Sequence, residues 1–397
     1  MKILMLHNFY QQPGGEDESF AAEAEVLERH GHEVIRYTQH NDAIKDLNPV
    51  SVGLRTIWNP TSHRELQSLI RTHHPDLVHA QNVFPLISPA AYHAAAGLGI
   101  PVVQSVRNYR MFCLNAQFFR DGQPCEDCLG RTLPAPGIRH SCYRGSKVQS
   151  SGVAAMQVVH RALGTWRRHV SLFIALSEFT RRKCIESGLP EAKVVTKPNF
   201  LKNDPGAGPG DGGYALYIGR LSPEKGIGTM LGAWARLGEA APLLKVVGDG
   251  PLAGQVQAAT GDRVEWLGRR SPAEVLELLR RAAFLVFPSE WYETFGRVAI
   301  EAFALGTPVA AARIGAVAEL VDDGRTGLHF TPGDAGDLAD KVRRMAVQGD
   351  EWRRMRLAAR AEFEARFTPE SNYRQLISIY HRALGPMDSF EQPAFQQ

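Results

Sequence analysis

The chain alternates short apolar runs with segments in which apolar residues recur at helical spacing. In the first half, the apolar runs fall at residues 2–7, 33–38, 76–80, 101–106, 172–176 and 194–196. Segments between them, such as residues 16–30 and 62–73, show helical spacing. Strands that alternate with helices are typical of parallel sheets covered by helices. The pattern therefore predicts an α/β fold.

A second series of the same kind begins after a glycine-rich stretch at residues 203–213, which offers no side chains for a core and favours flexibility. Further strands are predicted at residues 214–218, 243–247, 264–267, 284–288, 308–311 and 327–330. The pattern thus predicts a first domain over residues 1–202, a linker over 203–213 and a second domain over 214–368. A helix over 369–385 and a short, polar, disordered tail over 386–397 are predicted to follow.

Two α/β halves joined near the middle of the chain predict a cleft between domains. In open α/β sheets, ligands bind beyond the carboxyl ends of the strands, so two facing sheets would form one deep site. The composition, 44% hydrophobic and 22% charged, is that of an ordinary globular protein. No apolar run has the roughly 18 residues of a membrane span, and the run after Lys2 is too short for a signal peptide. A cytosolic protein is expected.

Positive charge is concentrated in one part of the first half. Residues 107–183 contain 13 Lys and Arg against 4 Asp and Glu, whereas the whole chain has a net charge of +3. Such a zone indicates an anionic partner, namely the inner membrane face or a lipid-diphosphate acceptor, unless it is simply a solvated basic surface. A nucleic-acid partner is not expected.

Two glycine-containing loops that follow predicted strands carry candidate chemistry. Gly14 and Gly15 come after the first strand, where their backbone amides would approach a phosphate unless they only form a turn. In the second half, Gly219 and Arg220 follow a strand, and Lys225 comes five residues after Arg220. These two cations would bind a diphosphate and stabilise its departure without a metal.

A third loop follows the strand at residues 284–288 and leads to a helix predicted to begin near Thr294. Glu293 precedes this helix, and Glu301 is expected two turns into it, a rise of about 12 Å. That distance is similar to the separation between the sugar and the ribose of a nucleotide-sugar. Glu301 would therefore accept hydrogen bonds from ribose hydroxyls, and Glu293 would bind the sugar.

Motifs in both halves together resemble the retaining GT-B glycosyltransferases of family 4. They are the E-x7-E pair Glu293 and Glu301, the following residues 302–309, and the pairs Phe295-Gly296, Gly219-Arg220, Lys225-Gly226 and Gly14-Gly15. The resemblance implies two Rossmann-like domains that face each other across a cleft, with a last helix that returns to the first domain. It also implies transfer of a sugar, with retention, from a nucleotide-diphosphate donor to a glycan or lipid-linked acceptor. Surface polysaccharide synthesis is the expected role.

The resemblance also assigns roles to individual residues. Arg220 and Lys225 would hold the donor diphosphate as catalytic cations, and Glu293 would be the third catalytic residue, holding the transferred sugar. The donor would further contact Gly14, Gly15, Phe295, Gly296 and Glu301.

One residue departs from the family pattern. Many relatives carry a histidine after the strand that corresponds to residues 101–106, and Arg107 stands at that place here. A guanidinium cannot act as a base, so no role that needs a neutral imidazole is expected. Arg107 would instead bind donor phosphate or an anionic sugar.

An insertion at about residues 107–150 contains four cysteines with the spacing C-x11-C-x2-C-x13-C: Cys113, Cys125, Cys128 and Cys142. Such a set can hold a structural zinc ion through four thiolates, remain reduced, or serve redox chemistry. A zinc ion with four protein ligands has no open coordination position, so it would not be catalytic.

The sequence contains no D-x-D signature of a metal–diphosphate site, which favours catalysis without a metal or another cofactor. Two rival functions stay open: a GT-B sugar-nucleotide epimerase and a non-catalytic nucleotide-sugar-binding protein. The E-x7-E motif argues against the epimerase. The joint presence of Arg220, Lys225, Glu293 and Glu301 argues against the binding protein, although Arg107 slightly favours it.

Overall fold

The computed structural model describes residues 1–11 and 14–385, so the tail predicted at 386–397 lies outside the described residues. Two six-stranded sheets form the centres of two α/β domains, and neighbouring strands in both sheets are parallel. The prediction of two Rossmann-like domains is confirmed. A small antiparallel hairpin lies in the inserted segment of the first domain.

The first domain has its sheet in the order β2-β1-β3-β4-β7-β8. Its strands are β1 (Lys2–Phe9), β2 (Glu33–His40), β3 (Leu77–Asn82), β4 (Val102–Val106), β5 (Phe119–Arg120), β6 (Gln123–Pro124), β7 (Leu172–Ala175) and β8 (Val194–Thr196). Its helices are α1 (Gly15–Arg29), α2 (Pro49–Ile57), α3 (Pro60–His73), α4 (Ala90–Ala96), α5 (Ala135–Arg139), α6 (Lys147–Ala162), α7 (Thr165–His169) and α8 (Glu178–Glu186).

The second domain has its sheet in the order β11-β10-β9-β12-β13-β14. Its strands are β9 (Ala215–Ile218), β10 (Leu244–Val247), β11 (Val264–Gly268), β12 (Phe284–Phe287), β13 (Val309–Ala312) and β14 (Gly327–Phe330). The helices that follow the linker are α9 (Ile227–Leu237), α10 (Ala253–Ala258), α11 (Pro272–Arg281), α12 (Arg297–Ala304), α13 (Val317–Leu320), α14 (Ala335–Ala346), α15 (Asp350–Arg366) and α16 (Pro369–Leu384).

Local sequence explains where many of these elements begin. The β12 residues are all buried, as expected for a central parallel strand covered on both faces. Helix α3 begins at Pro60, where a missing amide proton costs nothing, and the Asn59 side chain accepts hydrogen bonds from the Thr61 and Ser62 amides. Ser271 and Glu274 form a reciprocal capping box at the start of α11. Among the helices of the described residues, none combines the length and apolar character needed to cross a bilayer.

The segment at residues 203–213 is not the free, flexible loop that its glycines predict. The amides of Gly208, Gly210 and Gly212 donate to carbonyl groups of the second domain at 2.8–3.1 Å. Asp204 also forms an ion pair with Arg360 at 2.6 Å. The lack of side chains here lets the backbone approach the second domain closely, and the hydrogen bonds then hold it there.

Helix α16 lies against the first domain although it follows the second domain in the chain. Leu376 and Tyr380 are buried in one cluster with Ile3 and Met5 of β1. The Tyr380 hydroxyl also lies 2.7 Å from Nδ1 of the buried His79. The chain therefore returns across the molecule after α15 and ties its last described helix to the first sheet.

Candidate active site

A cavity of about 480 Å³ lies between the two domains. The first domain contributes the start of α1 and the loop after β4, and the second domain contributes the loops after β9 and β12. The predicted site residues that line it are Gly15, Arg107, Lys225, Glu293, Phe295, Gly296 and Glu301. Residues from segments far apart in the sequence thus meet at the carboxyl ends of two parallel sheets, where ligands of α/β proteins bind.

Lys225 and Glu293 form an ion pair at the floor of this cavity. Lys225 Nζ lies 2.5 Å from Glu293 Oε1, and the Ser289 hydroxyl and the Trp291 indole donate to the same oxygen at 2.8 and 2.9 Å. The lysine ammonium also lies 5.2 Å from the centre of the Trp291 ring. Glu293 is buried, and these three contacts hold one of its carboxylate oxygens in place. Lys225 lines the cavity.

The loop that carries Lys225 passes very close to the loop after β12. Gly226 has φ +68°, and a Cβ added there would lie 1.8 Å from the Pro288 carbonyl oxygen. No other residue type fits both this left-handed conformation and this close approach. Gly226 therefore allows Lys225 to reach Glu293.

Helix α12 begins at Arg297, so the predicted start near Thr294 is wrong. Gly296 has φ +108°, a left-handed conformation that a helix cannot contain. Glu301 consequently lies one turn into the helix, and the 12 Å rise expected from a longer helix does not apply. Gly296, Arg297 and Val298 line the cavity, so the amino end of α12 faces it and can favour an anion there.

Glu301 lies in the cleft beside Arg297, a residue to which the sequence motifs assigned no role. Arg297 Nε is 3.1 Å from Glu301, and another nitrogen of the same guanidinium is 2.8 Å from Glu18 of α1. Burial raises the pKa of the Glu301 carboxyl above its usual value, and Arg297 opposes this shift. Arg297 thus bridges the two domains at the cavity. Its place inside the E-x7-E motif was the only signal available in the sequence.

Arg107 is buried, and most of its guanidinium is occupied by other protein groups. It donates to Asn199 at 2.8 Å and to Gln81, and it lies 3.3 Å from Glu23. Lys197 contacts the same Glu23 at 2.8 Å. Burial alone would raise the pKa of Glu23, but Lys197 and Arg107 lower it to about 2. Arg107 lines the cavity, yet its first role is to neutralise a buried carboxylate, because an unpaired buried charge is very costly.

Two of the residues predicted to contact the donor do not line the cavity. Arg220 follows Gly219 at the edge of the site, and its side chain is exposed. The Tyr217 hydroxyl donates to the Arg220 carbonyl at 2.9 Å and thereby fixes this part of the loop. Gly14 precedes α1, and its amide donates to Asp17 at 2.9 Å. Their contacts with a donor stay predictions.

Further contacts across the cleft involve residues that no motif indicated. Thr294 donates to the Arg107 carbonyl at 2.9 Å, and its own carbonyl accepts from Thr180 at 3.2 Å. Glu319 of the second domain pairs with Arg182 of the first at 2.7 Å. These short polar contacts hold the domains in the arrangement that encloses the cavity.

The four cysteines of the insertion surround a cavity of about 10 Å³. All are free thiols, and burial raises the pKa of Cys128 to about 11. No group of three or more His, Cys, Asp or Glu side chains in the described residues is arranged as a metal site. Zinc binding at Cys113, Cys125, Cys128 and Cys142 stays a prediction and would require their side chains to turn toward one another.

Comparison with known families gives two matches along the chain. Residues 14–199 match the model described as "Glycosyl transferase 4-like domain", and residues 212–348 match the model described as "Glycosyl transferases group 1". Together the two matches extend over most of the chain, one on each domain. The chain therefore belongs to the GT4-type glycosyltransferase family of GT-B fold.

Curated relatives match part of the chain. It is 35% identical over 175 residues to the glycogen synthase of Mycobacterium tuberculosis, covering 42% of this chain and 41% of the relative. It is 35% identical over 199 residues to the D-inositol 3-phosphate glycosyltransferase of a Nocardioides species, covering 44% and 43%. The chain thus spans less than half the length of these relatives.

Solved structures share the whole architecture. Anabaena HepE, crystallised in complex with UDP, superposes with a TM-score of 0.69 at 20% identity, covering 95% of this chain and 99% of that chain. The sucrose-phosphate synthase of Thermosynechococcus elongatus gives a TM-score of 0.69 at 18% identity, covering 96% and 99%. At these identities the likeness shows the fold.

Gly226→Ala should lower the free energy of unfolding by about 1–3 kcal/mol, because the new Cβ meets the Pro288 carbonyl in a left-handed backbone conformation. Chemical denaturation would measure this. Gly228→Ala is the matched control, because a Cβ there meets nothing within 4 Å and alanine favours the helix. Equal stabilities of the two variants would contradict the close approach of Gly226 to the Pro288 carbonyl.

If the cysteines hold zinc, protein purified without chelator should contain about one equivalent per chain, and Cys128→Ser should lose it. Cys184→Ala is the control, because Cys184 is buried outside the cluster. Metal analysis by plasma spectrometry would decide. A wild-type content below about a tenth of an equivalent would reject zinc.

Proposed function

We propose that this protein is a retaining, metal-independent glycosyltransferase. It moves a sugar from a nucleotide-diphosphate donor to a glycan or lipid-linked acceptor, in surface polysaccharide synthesis on the cytoplasmic side of the membrane. The observation that carries this proposal is the convergence of Lys225, Glu293 and Glu301 on one cavity between two Rossmann-like domains. The cation would meet the diphosphate of a nucleotide-sugar, Glu301 would meet its ribose, and Glu293 would meet its sugar.

The donor would lie along the loops of the second domain. Its diphosphate would meet Lys225 and the amino end of α12, where the ammonium and the free backbone amides both favour negative charge. Its ribose hydroxyls would donate to Glu301, and its sugar would bind Glu293 and the backbone at Phe295 and Gly296. This arrangement leaves the side of the cavity formed by the first domain for the acceptor.

Catalysis would rest on stabilising the leaving group. Negative charge builds up on the nucleoside diphosphate as the glycosidic bond breaks, and a preorganised ammonium beside it lowers the barrier. Arg220, at the edge of the site, would add a second positive charge when the donor is bound. Attack from the same face, with the leaving phosphate taking the acceptor proton, would retain the configuration of the sugar.

The relatives support the choice of donor class. Structures of Anabaena HepE contain UDP or UDP-glucose, and a Nocardioides relative is named as a glycosyltransferase acting on D-inositol 3-phosphate. A uridine-diphosphate sugar is therefore the first donor to test, followed by guanosine- and adenosine-diphosphate sugars.

The first experiment is a calorimetric screen of these nucleotide-sugars without added divalent metal, followed by product analysis with candidate acceptors. One donor should bind more tightly than its bare diphosphate, and its sugar should be transferred. Tight donor binding without turnover on any acceptor would instead favour a non-catalytic binding protein. Conversion of the donor without an acceptor would favour an epimerase.

Donor affinity should fall on acidification, because ribose hydroxyls need the charged form of Glu301 and burial has raised its pKa. As the pH falls through that raised pKa, the carboxylate gains a proton and loses acceptor capacity. Glu301→Gln should weaken binding about tenfold near neutral pH and remove this dependence. Calorimetry between about pH 7.5 and 5 would show it. A variant with the same pH slope as the wild type would contradict the assignment.

Arg220→Ala and Lys225→Ala should each lower kcat by about 10²–10³, and Arg220→Ala should affect donor binding much less than turnover. Steady-state kinetics and donor calorimetry would separate these effects. The control is Arg343→Ala, which removes an exposed arginine on α14 of the same domain. Wild-type kinetics in both cleft variants would exclude the proposed leaving-group contacts.

A further inference from the structure

Two neighbouring helices of the first domain expose apolar side chains. Helix α2 exposes Val50 and Leu54, one turn apart, at 72% and 63%. Helix α6 exposes Val148 at 83% and Val159 at 37%. The helices contact each other, and His160 of α6 bonds to the Ile57 carbonyl of α2 at 2.7 Å. We call the exposed side chains of α2, of α6 and of the segments that flank α6, including α5 and α7, the α2–α6 face.

The chain segments that build this face contain no carboxylates. Residues 47–64 and 128–177 include no Asp or Glu. The second segment exposes six cations, and none of them forms an ion pair with a carboxylate of the described residues: Arg131, Arg139, Arg144, Lys147, Arg167 and Arg168. Elsewhere in the structure, exposed arginines such as Arg343 and Arg353 are paired. The face therefore combines unneutralised positive charge with exposed valine and leucine.

This combination fits the surface of an anionic bilayer. Lys and Arg at a membrane surface are attracted to anionic headgroups, while neighbouring apolar side chains enter the boundary of the acyl region. An acidic protein would match the charges, but unpaired cations on the same segments as exposed aliphatic side chains are better matched by an anionic surface with an apolar layer beneath it. We propose that the α2–α6 face docks on membranes that contain anionic phospholipids.

Helix α6 connects this face to the interior near the cleft. Its Met156, on the buried side, lines a cavity of about 50 Å³ together with Arg107 and Asn108, and these two residues also line the cleft. Helix α6 would thus lie between a docked bilayer, on its exposed side, and this cavity, on its buried side. The docking itself does not depend on the proposed transfer reaction, because it involves no residue of the cleft.

The test is co-sedimentation of the full chain with vesicles of phosphatidylcholine alone or with about one-third phosphatidylglycerol. The protein should bind the anionic vesicles, and added salt should weaken binding because exposed charges are screened. The double variant Leu54→Asp/Val148→Asp should bind at least about tenfold more weakly. The control is Leu357→Asp, because Leu357 on α15 is 73% exposed but lies in the second domain.

Three results would overturn the proposal: no binding of folded protein to anionic vesicles at low salt, equal binding to neutral vesicles, or equal losses in the double variant and Leu357→Asp. Donor calorimetry on the same variants separates this proposal from the proposed function. The double variant should keep wild-type donor affinity, since its substitutions lie outside the cleft. Loss of vesicle binding with intact donor binding would therefore support the face, and vesicle binding that the double variant keeps would overturn it whatever the donor affinity.

Discussion

The parallel pairing of β9 with β12 is the constraint on which the candidate site depends. These strands are neighbours in the second sheet, although about 65 residues separate them in the chain. Because both run in the same direction, the loops that follow them emerge at the same edge. Lys225 and Glu293 lie on those two loops and meet at 2.5 Å, and Gly226 permits the close approach. The sheet topology thus brings the two loops together at the cavity, and the ion pair between Lys225 and Glu293 joins them.

The first domain also contains an ionic cluster, and this one is buried. Glu23 of α1 is held between Lys197 and Arg107, so one buried carboxylate pairs with two cations from distant segments. Thr294 of the second domain donates to the Arg107 carbonyl, which couples the cluster to the opposite wall of the cleft. A buried carboxylate that lost either partner would be strongly destabilised, so these contacts fix the relation of α1 to β4. The wall of the cleft that the first domain forms is therefore bonded to the second domain at the Arg107 carbonyl.

Local sequence predicted the strands well, and its errors have physical causes. Central strands such as β7, β12 and β13 are short apolar runs in which every residue is buried, so their positions depend little on the rest of the fold. The predicted start of α12 was three residues early, because the left-handed conformation of Gly296, which ends the possible helix there, is not specified by the local pattern. The glycines of residues 203–213 indicated flexibility, since sequence cannot tell a free loop from one that lies against a surface.

The sequence by itself determined the alternating α/β architecture, the division into two domains and the types of side chain at the candidate site. These follow from local periodicity and from short motifs whose residues are close together in the chain. Only the tertiary structure decided that Arg107 is buried against Glu23, that Arg220 lies at the edge of the site, and that Arg297 bridges to Glu18. The α2–α6 face also emerged only there. Burial and charge pairing depend on contacts between distant segments, and no local pattern specifies them.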